Sequence, residues 1–269
     1  MSETDVAVAN GRYTIHVTEQ GSGPPLLFLH GINGMNWDAL LDRLATQYRV
    51  IAPSHPGFGD ASQDELDTVH DLVYAYLDLL DALELDDIPV VGHSLGGMIA
   101  AELAVTQPKR FSKLMLMAPL GLWDIDRPTF DFFACTPKEL GEALFFDPES
   151  EAAKEAGETG LKQLAEVGHD SDEGQHLIDV YVERARTLAT AAKYLWPIPN
   201  RGLKKRIHRI SAPTLLIWGA GDGIIEPSYA NDFMEAIDGA RCEHVAEAGH
   251  ELGIEQPERV AELITAFVG

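Results

Sequence analysis

One hexapeptide constrains this chain more than any other stretch: Gly92-His93-Ser94-Leu95-Gly96-Gly97. It follows directly on an apolar run of strand length at residues 88–91, and a helical pattern begins directly after it. Glycines two residues either side of a serine let neighbouring backbone come close around a tight strand-to-helix turn. Such a turn lifts the serine hydroxyl above the sheet. The first amides of the helix, and the positive end of its dipole, point at the same place. A chain with this element has to build a sheet with a helix packed behind the turn.

The rest of the sequence supplies that sheet. Residues 26–29, 49–52, 88–91 and 113–117 are near-continuous apolar runs, as expected of strands covered on both faces. Between them, Leu66, Val69, Val73, Tyr76, Leu77, Leu80 and Leu83 share a helical stripe within 64–83, and 98–107 reads as a helix stopped by Pro108. The alternation breaks after Pro119: 122–196 has helix-like segments and no strand. A strand returns at 213–218, followed by a helix from about 227, a strand over 241–246, and a last helix opened by Gln256-Pro257. The expected fold class is α/β, a doubly wound, mostly parallel sheet with an inserted helical cap. The expected parts are a first core segment over 1–120, the cap over 121–197, and a second core segment over 198–269.

A serine hydroxyl is a weak nucleophile at neutral pH and needs a base to take its proton. Among ten histidines, His250 is the candidate, because Ala248-Gly249-His250 follows the last strand and precedes the last helix. His93 is expected to point away from the serine, and His30 to make structural hydrogen bonds. His55, His70, His169, His176, His208 and His244 have no motif around them and are read as surface or packing residues. The base needs a carboxylate to fix its tautomer. Asp222 fits, in the glycine-rich loop Gly219-Ala220-Gly221-Asp222 at the carboxyl end of a strand, the edge where sites of open α/β sheets collect. Asp124, after the preceding strand, is the alternative. His30-Gly31-Ile32-Asn33-Gly34 follows the strand at 26–29, and the amides of Ile32 and Leu95 are the expected oxyanion donors.

Composition narrows the class further. A net charge of −23 over 269 residues leaves no basic stripe to displace counterions, which argues against nucleic-acid binding. The acidic start carries no signal-peptide pattern and no run is long and apolar enough for a bilayer, so a cytoplasmic location without membrane insertion is expected. Cys135 and Cys242 are the only cysteines and lack metal-like spacing, so they are read as two thiols in a reducing compartment. The run from His169 to His176 reads as an acidic linker rather than a metal site. No cofactor or metal is called for. The sequence leaves open whether the chain is a monomer or a homo-oligomer.

With these residues in place, the chain resembles the α/β-hydrolase superfamily over essentially its whole length. The resemblance rests on the His30-Gly31 loop, on Ser54-His55-Pro56-Gly57-Phe58-Gly59, on the Ser94 turn, on the Asp222 loop and on Gly249-His250. It implies a nucleophile elbow at Ser94, triad residues in the chain order Ser94, Asp222, His250, and a cap over the site. The nearest branches are capped serine esterases and the C–C hydrolases of aromatic-ring degradation. The latter carry an aromatic residue after the histidine, where this chain has Glu251. They also use a cap arginine, for which Arg184 and Arg186 are the candidates, although both read first as surface residues. Cap aromatics (Trp123, Phe130, Phe132, Phe133, Phe145, Phe146, Tyr181, Tyr194, Trp196) are expected to pack the cap, with some lining an apolar pocket. The expected function is hydrolysis of small to medium carboxylic esters. C–C cleavage of ring-cleavage diketones and a low-turnover ligand receptor are the alternatives.

Overall fold

The computed structural model describes residues 1–58, 66–157, 171–196, 198 and 201–269. Gly59 of the Ser54 motif, and His169 and Asp170 of the acidic run, lie outside them. Eight strands form one sheet: β1 (Ser2–Val8), β2 (Tyr13–Gln20), β3 (Pro25–Leu29), β4 (Arg49–Pro53), β5 (Ile88–His93), β6 (Phe111–Met117), β7 (Thr214–Gly219) and β8 (Arg241–Val245). Their order is β1-β2-β4-β3-β5-β6-β7-β8. From β4 to β8 every neighbouring pair is parallel, while β1 with β2 and β2 with β4 are antiparallel. The apolar runs at β3 to β7 are buried along almost their whole length. Helices on both faces account for that burial.

The hairpin β1–β2 is an addition to the elements expected from sequence. Only Ile15 and Val17 bury apolar side chains well along β2, and β1 is exposed except near its end. A half-exposed edge hairpin offers a weak period-two signal rather than a continuous apolar run. The available clue was Asn10-Gly11, both with positive φ in the connecting turn, a pair favoured in hairpin turns.

Helices α1 (Ala39–Ala45), α2 (Val69–Ala82) and α3 (Leu95–Thr106) belong to the first core segment. The helix expected over 64–83 begins at Val69, because Thr68 and Asp71 form a capping box there, each satisfying an amide that the first turn leaves free. Helix α3 runs behind the Ser94 turn and is buried from Leu95 to Val105. Its one charged residue, Glu102, is 1% exposed and accepts from Arg206, with Arg206 Nε at 2.7 Å. A buried carboxylate needs such a partner. The bond ties α3 to the segment that returns from the insertion.

Between β6 and β7 lie α4 (Pro137–Leu144), α5 (Glu151–Gly157) and α6 (Asp172–Leu195). No strand occurs there among the described residues, in line with the inserted helical cap. After β7 come α7 (Tyr229–Ala236), the short turn α8 (Leu252–Glu255) and α9 (Pro257–Val268). Among the described residues, no helix is long and apolar enough to cross a membrane.

Candidate active site

Ser94 sits between β5 and α3 with φ +54° and ψ −112°, a region that costs a non-glycine residue free energy. Three main-chain bonds hold it there. Its N–H donates to Met117 of β6 at 2.9 Å, and its carbonyl accepts from Met98 and Leu120, each at 3.1 Å. The flanking glycines are steric necessities. A Cβ at Gly96 would run into the carbonyls of Leu29 and His30, and one at Gly92 into that of Gly96.

The turn brings the three sequence candidates together. His250 Nε2 lies 2.9 Å from Ser94 Oγ, and His250 Nδ1 lies 2.9 Å from Asp222 Oδ2. Asp222 accepts through its other oxygen from the amides of Ile224 and Ile225, both at 2.9 Å, which leaves Oδ2 for the imidazole. Nδ1–H therefore donates to Asp222, and Nε2 is free to accept from the serine. Ser94 and His250 are each only 2% exposed. Burial disfavours the imidazolium, but the charge and hydrogen bond of Asp222, with the charge of Glu251, outweigh it and raise the His250 pKa above its ordinary 6.5. Asp124 is elsewhere. Its carboxylate pairs with Arg127 at 2.9 Å, and Arg127 also reaches Asp232 at 2.9 Å.

The loop holding Ile32 lies against the serine: a Cβ on Gly31 would stand 3.4 Å from Ser94 Cβ. Leu95 opens α3, so its amide has no carbonyl of its own helix to bond. Two buried histidines hold this loop from beneath. His55 N–H donates to His30 Nε2 at 2.8 Å, and His55 Nε2–H donates to the His30 carbonyl at 2.7 Å. His30 Nδ1–H donates to the Gly31 carbonyl at 2.7 Å, and the Tyr76 hydroxyl bonds His55 Nδ1. Each ring is thus fixed in one neutral tautomer. Burial holds His30 down to about 4, and His55 well below its ordinary value. His30 has the structural role expected of it. His55 is fully buried, so the surface reading does not apply to it.

His93 turns its ring to the loop that carries His250. Its Nε2–H donates to the His250 carbonyl at 2.9 Å, and its ring centroid lies 5.0 Å from that of His250. Glu251 accepts from Asn33 Nδ2 at 2.8 Å. Glu255 accepts from the amides of Gly249 at 2.6 Å and Phe146 at 2.8 Å. The end of α4 meets both loops that carry His250 and Asp222: Glu251 N–H donates to Leu144 and Gly223 N–H to Ala143, each at 3.1 Å. Apart from Gly249 with Glu255, six residues on, these partners lie far apart in sequence and leave no local motif.

A cleft of about 450 Å³ opens beside this cluster. Its core side is formed by Phe28, Gly31, Asn33, His93, Glu251 and Ile254, among others, and its cap side includes Leu140, Leu144, Phe145, Arg184 and Leu188. Of the two arginine candidates, Arg184 lines the cleft, whereas Arg186 is exposed. Phe145 is the cap aromatic that reaches it. Tyr194 is buried against the core, with its hydroxyl donating to Pro56 at 3.1 Å, while Phe146, Tyr181 and Trp196 are exposed.

A family model described as the alpha/beta hydrolase fold matches residues 24–257. A 2-hydroxy-6-oxo-6-phenylhexa-2,4-dienoate hydrolase from Comamonas testosteroni is 26% identical over 268 residues, 95% of this chain and 91% of that protein. A pimeloyl-[acyl-carrier protein] methyl ester esterase from Nitrosomonas europaea is 26% identical over 263 residues, 94% of this chain and 99% of its own length. Among solved structures, a membrane phospholipase A described as a bacterial virulence factor superposes with a TM-score of 0.76 at 25% identity, covering 99% of this chain and 85% of its own. The chain belongs to the alpha/beta hydrolase fold family.

Proposed function

We propose that the chain is a serine hydrolase acting on small to medium carboxylic esters, with Ser94 as nucleophile, His250 as general base and Asp222 as its orienting carboxylate. The observation that carries this reading is the pair of 2.9 Å contacts that His250 makes to Ser94 Oγ and Asp222 Oδ2. Ser94 Oγ attacks the ester carbonyl carbon as its proton passes to His250 Nε2. The Ile32 and Leu95 amides receive the oxyanion, and donors of this kind contribute about 3–4 kcal/mol to the transition state. The C–O bond to the alcohol then breaks, and the proton on Nε2 goes to the departing oxygen. Water gives a proton to the same nitrogen and attacks the acyl-serine. The acyl C–Oγ bond breaks, that proton passes from Nε2 to Ser94 Oγ, and the acid is released. Asp222 keeps Nε2 facing the serine and stabilises the imidazolium formed in both halves.

A second reading is C–C bond hydrolysis of a ring-cleavage diketone. The observation in its favour is Arg184 on the cap wall of the cleft, together with the 26% likeness to the Comamonas testosteroni hydrolase. Glu251 in place of an aromatic residue speaks for the ester. Both readings require the same serine. Labelling with a fluorophosphonate, followed by turnover of p-nitrophenyl esters and of a vinylogous diketone, separates them. Ester turnover lost in Ser94→Ala supports the proposal, diketone turnover alone supports the second reading, and ester turnover at the wild-type rate in Ser94→Ala overturns both. The expected loss in kcat is roughly 10⁴–10⁶.

A further inference from the structure

The loop that carries the Ile32 amide and the loop that carries His250 come from opposite ends of the chain. A hydrogen bond spans the 218-residue separation between them: Asn33 Nδ2 donates to Glu251 Oε1 at 2.8 Å. Glu251 is fixed through its main chain, and Asn33 stands exposed on a turn. Ile32 and Asn33 are the two central residues of that turn, closed by Gly34 N–H to the Gly31 carbonyl at 3.4 Å. Glu251 follows His250 directly. Its N–H donates to Leu144 of α4, and its carbonyl accepts from Ile254 at 2.9 Å and Glu255 at 3.1 Å. Glu251 is 9% exposed and lines the cleft. A carboxylate in that position costs desolvation energy that an ordinary packing residue would avoid. A charged side chain is thus spent on joining an oxyanion loop to a base loop.

Resting on the hydrolase reading above, we propose that Glu251 is a positioning residue whose carboxylate, through Asn33, sets the Ile32 amide and the His250 imidazole at one fixed spacing around Ser94. Proton transfer and oxyanion capture occur in the same step, so an error in that spacing penalises the transition state more than substrate binding. Misplacing a reacting group by about 1 Å can cost on the order of 100-fold. The carboxylate has a second effect on the same imidazole. Glu251 and Asp222 both favour the charged form of His250. Of the other ionisable groups nearby, Glu251 also acts on His93 and on Asp38, which is raised first by burial. Glu255 accepts from the amide of Gly249 beside His250, and Glu183 and Arg184 lie on the cap side of the cleft.

The test is a set of variants assayed on one p-nitrophenyl ester across a pH range, with thermal unfolding as the check on folding. In Glu251→Ala, kcat is expected to fall about 10- to 100-fold with KM changed less than about threefold. In Asn33→Ala the same loss of kcat is expected, with the acid limb of kcat/KM in its wild-type place. Glu251→Gln keeps an acceptor for Asn33 and should recover most of kcat, while its acid limb moves to lower pH because the charge is gone. The double variant Asn33→Ala/Glu251→Ala should be no worse than either single change, as expected of two residues sharing one interaction. Additive losses, a loss confined to KM, or wild-type kcat in Asn33→Ala would each overturn the clamp. If Glu251→Ala does not fold, Asn33→Ala and Asn33→Ala/Glu251→Gln decide by the same criteria. A wild-type protein that neither labels at Ser94 nor turns over ester fails the hydrolase reading instead, so the two failures are distinguishable.

Discussion

Glu255 accepts the amide of Phe146 at 2.8 Å and so joins the segment after α4 to the loop that carries His250. Its second oxygen takes the amide of Gly249, the residue before His250, at 2.6 Å. Without that carboxylate two amides lose their charged acceptor, and hydrogen bonds to charged groups are worth about 1.5–3 kcal/mol each. The Phe146 bond is exposed and the Gly249 bond part-buried, so water takes over part of the loss. Glu255→Ala is expected to unfold about 1–3 kcal/mol more readily in urea, and to turn over ester more slowly. Glu255→Gln keeps one good acceptor and should fall between the two. Wild-type urea midpoints in both variants would mean that the cap does not depend on this latch.

The histidine pair under the Ile32 loop makes a different kind of prediction. His30 and His55 are neutral in the fold, with pKa values held below 6.5, His30 at about 4. Below pH 6.5 the unfolded chain takes up protons that the native protein refuses. Their contribution is thus complete above pH 6.5 and is lost as pH falls, by up to about 1.4 kcal/mol per pH unit for each histidine. From pH 7 to 5.5 most carboxylates stay ionised. His93, also lowered by burial, adds to the loss, and His250, raised, offsets part of it. The urea midpoint should fall across that window. A flat midpoint would mean that the rings are protonated in the native state.

For His250 the sign is opposite and the readout is activity. Its pKa is raised, and only the neutral imidazole can take the serine proton. The acid limb of kcat/KM should therefore have its midpoint above 6.5. A midpoint at or below that value would show that Asp222 and Glu251 do not dominate the environment of this ring.

How much of this was legible in the sequence depends on how local the cause was. Ser94 was legible because its strand, its turn glycines and its helix are contiguous. Strands β3 to β7 were legible because burial on both faces leaves an unbroken apolar run. The β1–β2 hairpin was not, since its charged, half-exposed residues make only a faint alternation. His55 illustrates the other limit: the motif from Ser54 to Gly59 marks its loop, but not that its ring will lie against His30 and Tyr76. Glu251 was visible only as a departure from an aromatic position. Its meaning came from Asn33, which folding brings beside it.

The two acid candidates differ in what surrounds them. Asp222 touches His250, whereas Asp124 is engaged with Arg127, on the side of a separate cavity next to α7. Asp222→Asn should leave the fold intact and lower kcat by about 10⁴, because the histidine is left in the wrong tautomer. Asp124→Asn should cost less than about tenfold on the same logic. A reversed pair of results would move the acid to the earlier strand.

Acyl-chain length tests the cleft itself. Phe28 and Ile254 from the core, and Leu140, Leu144, Phe145 and Leu188 from the cap, give an acyl chain apolar contacts beside the Ser94 turn. Each methylene buried there contributes about 0.8 kcal/mol, roughly fourfold in kcat/KM. The gain holds only while there is room. A cleft of about 450 Å³ is at the smaller end of small-molecule sites, which span about 300–1,000 Å³, and Asn33, Glu183, Arg184 and Glu251 occupy part of its wall. Across p-nitrophenyl esters from acetate to palmitate, kcat/KM is expected to rise over the short acids, peak at short to medium length, and then fall. A steady climb to palmitate would mean that the cap swings clear of the cleft to admit a lipid chain, and the bounded acyl pocket would have to be given up.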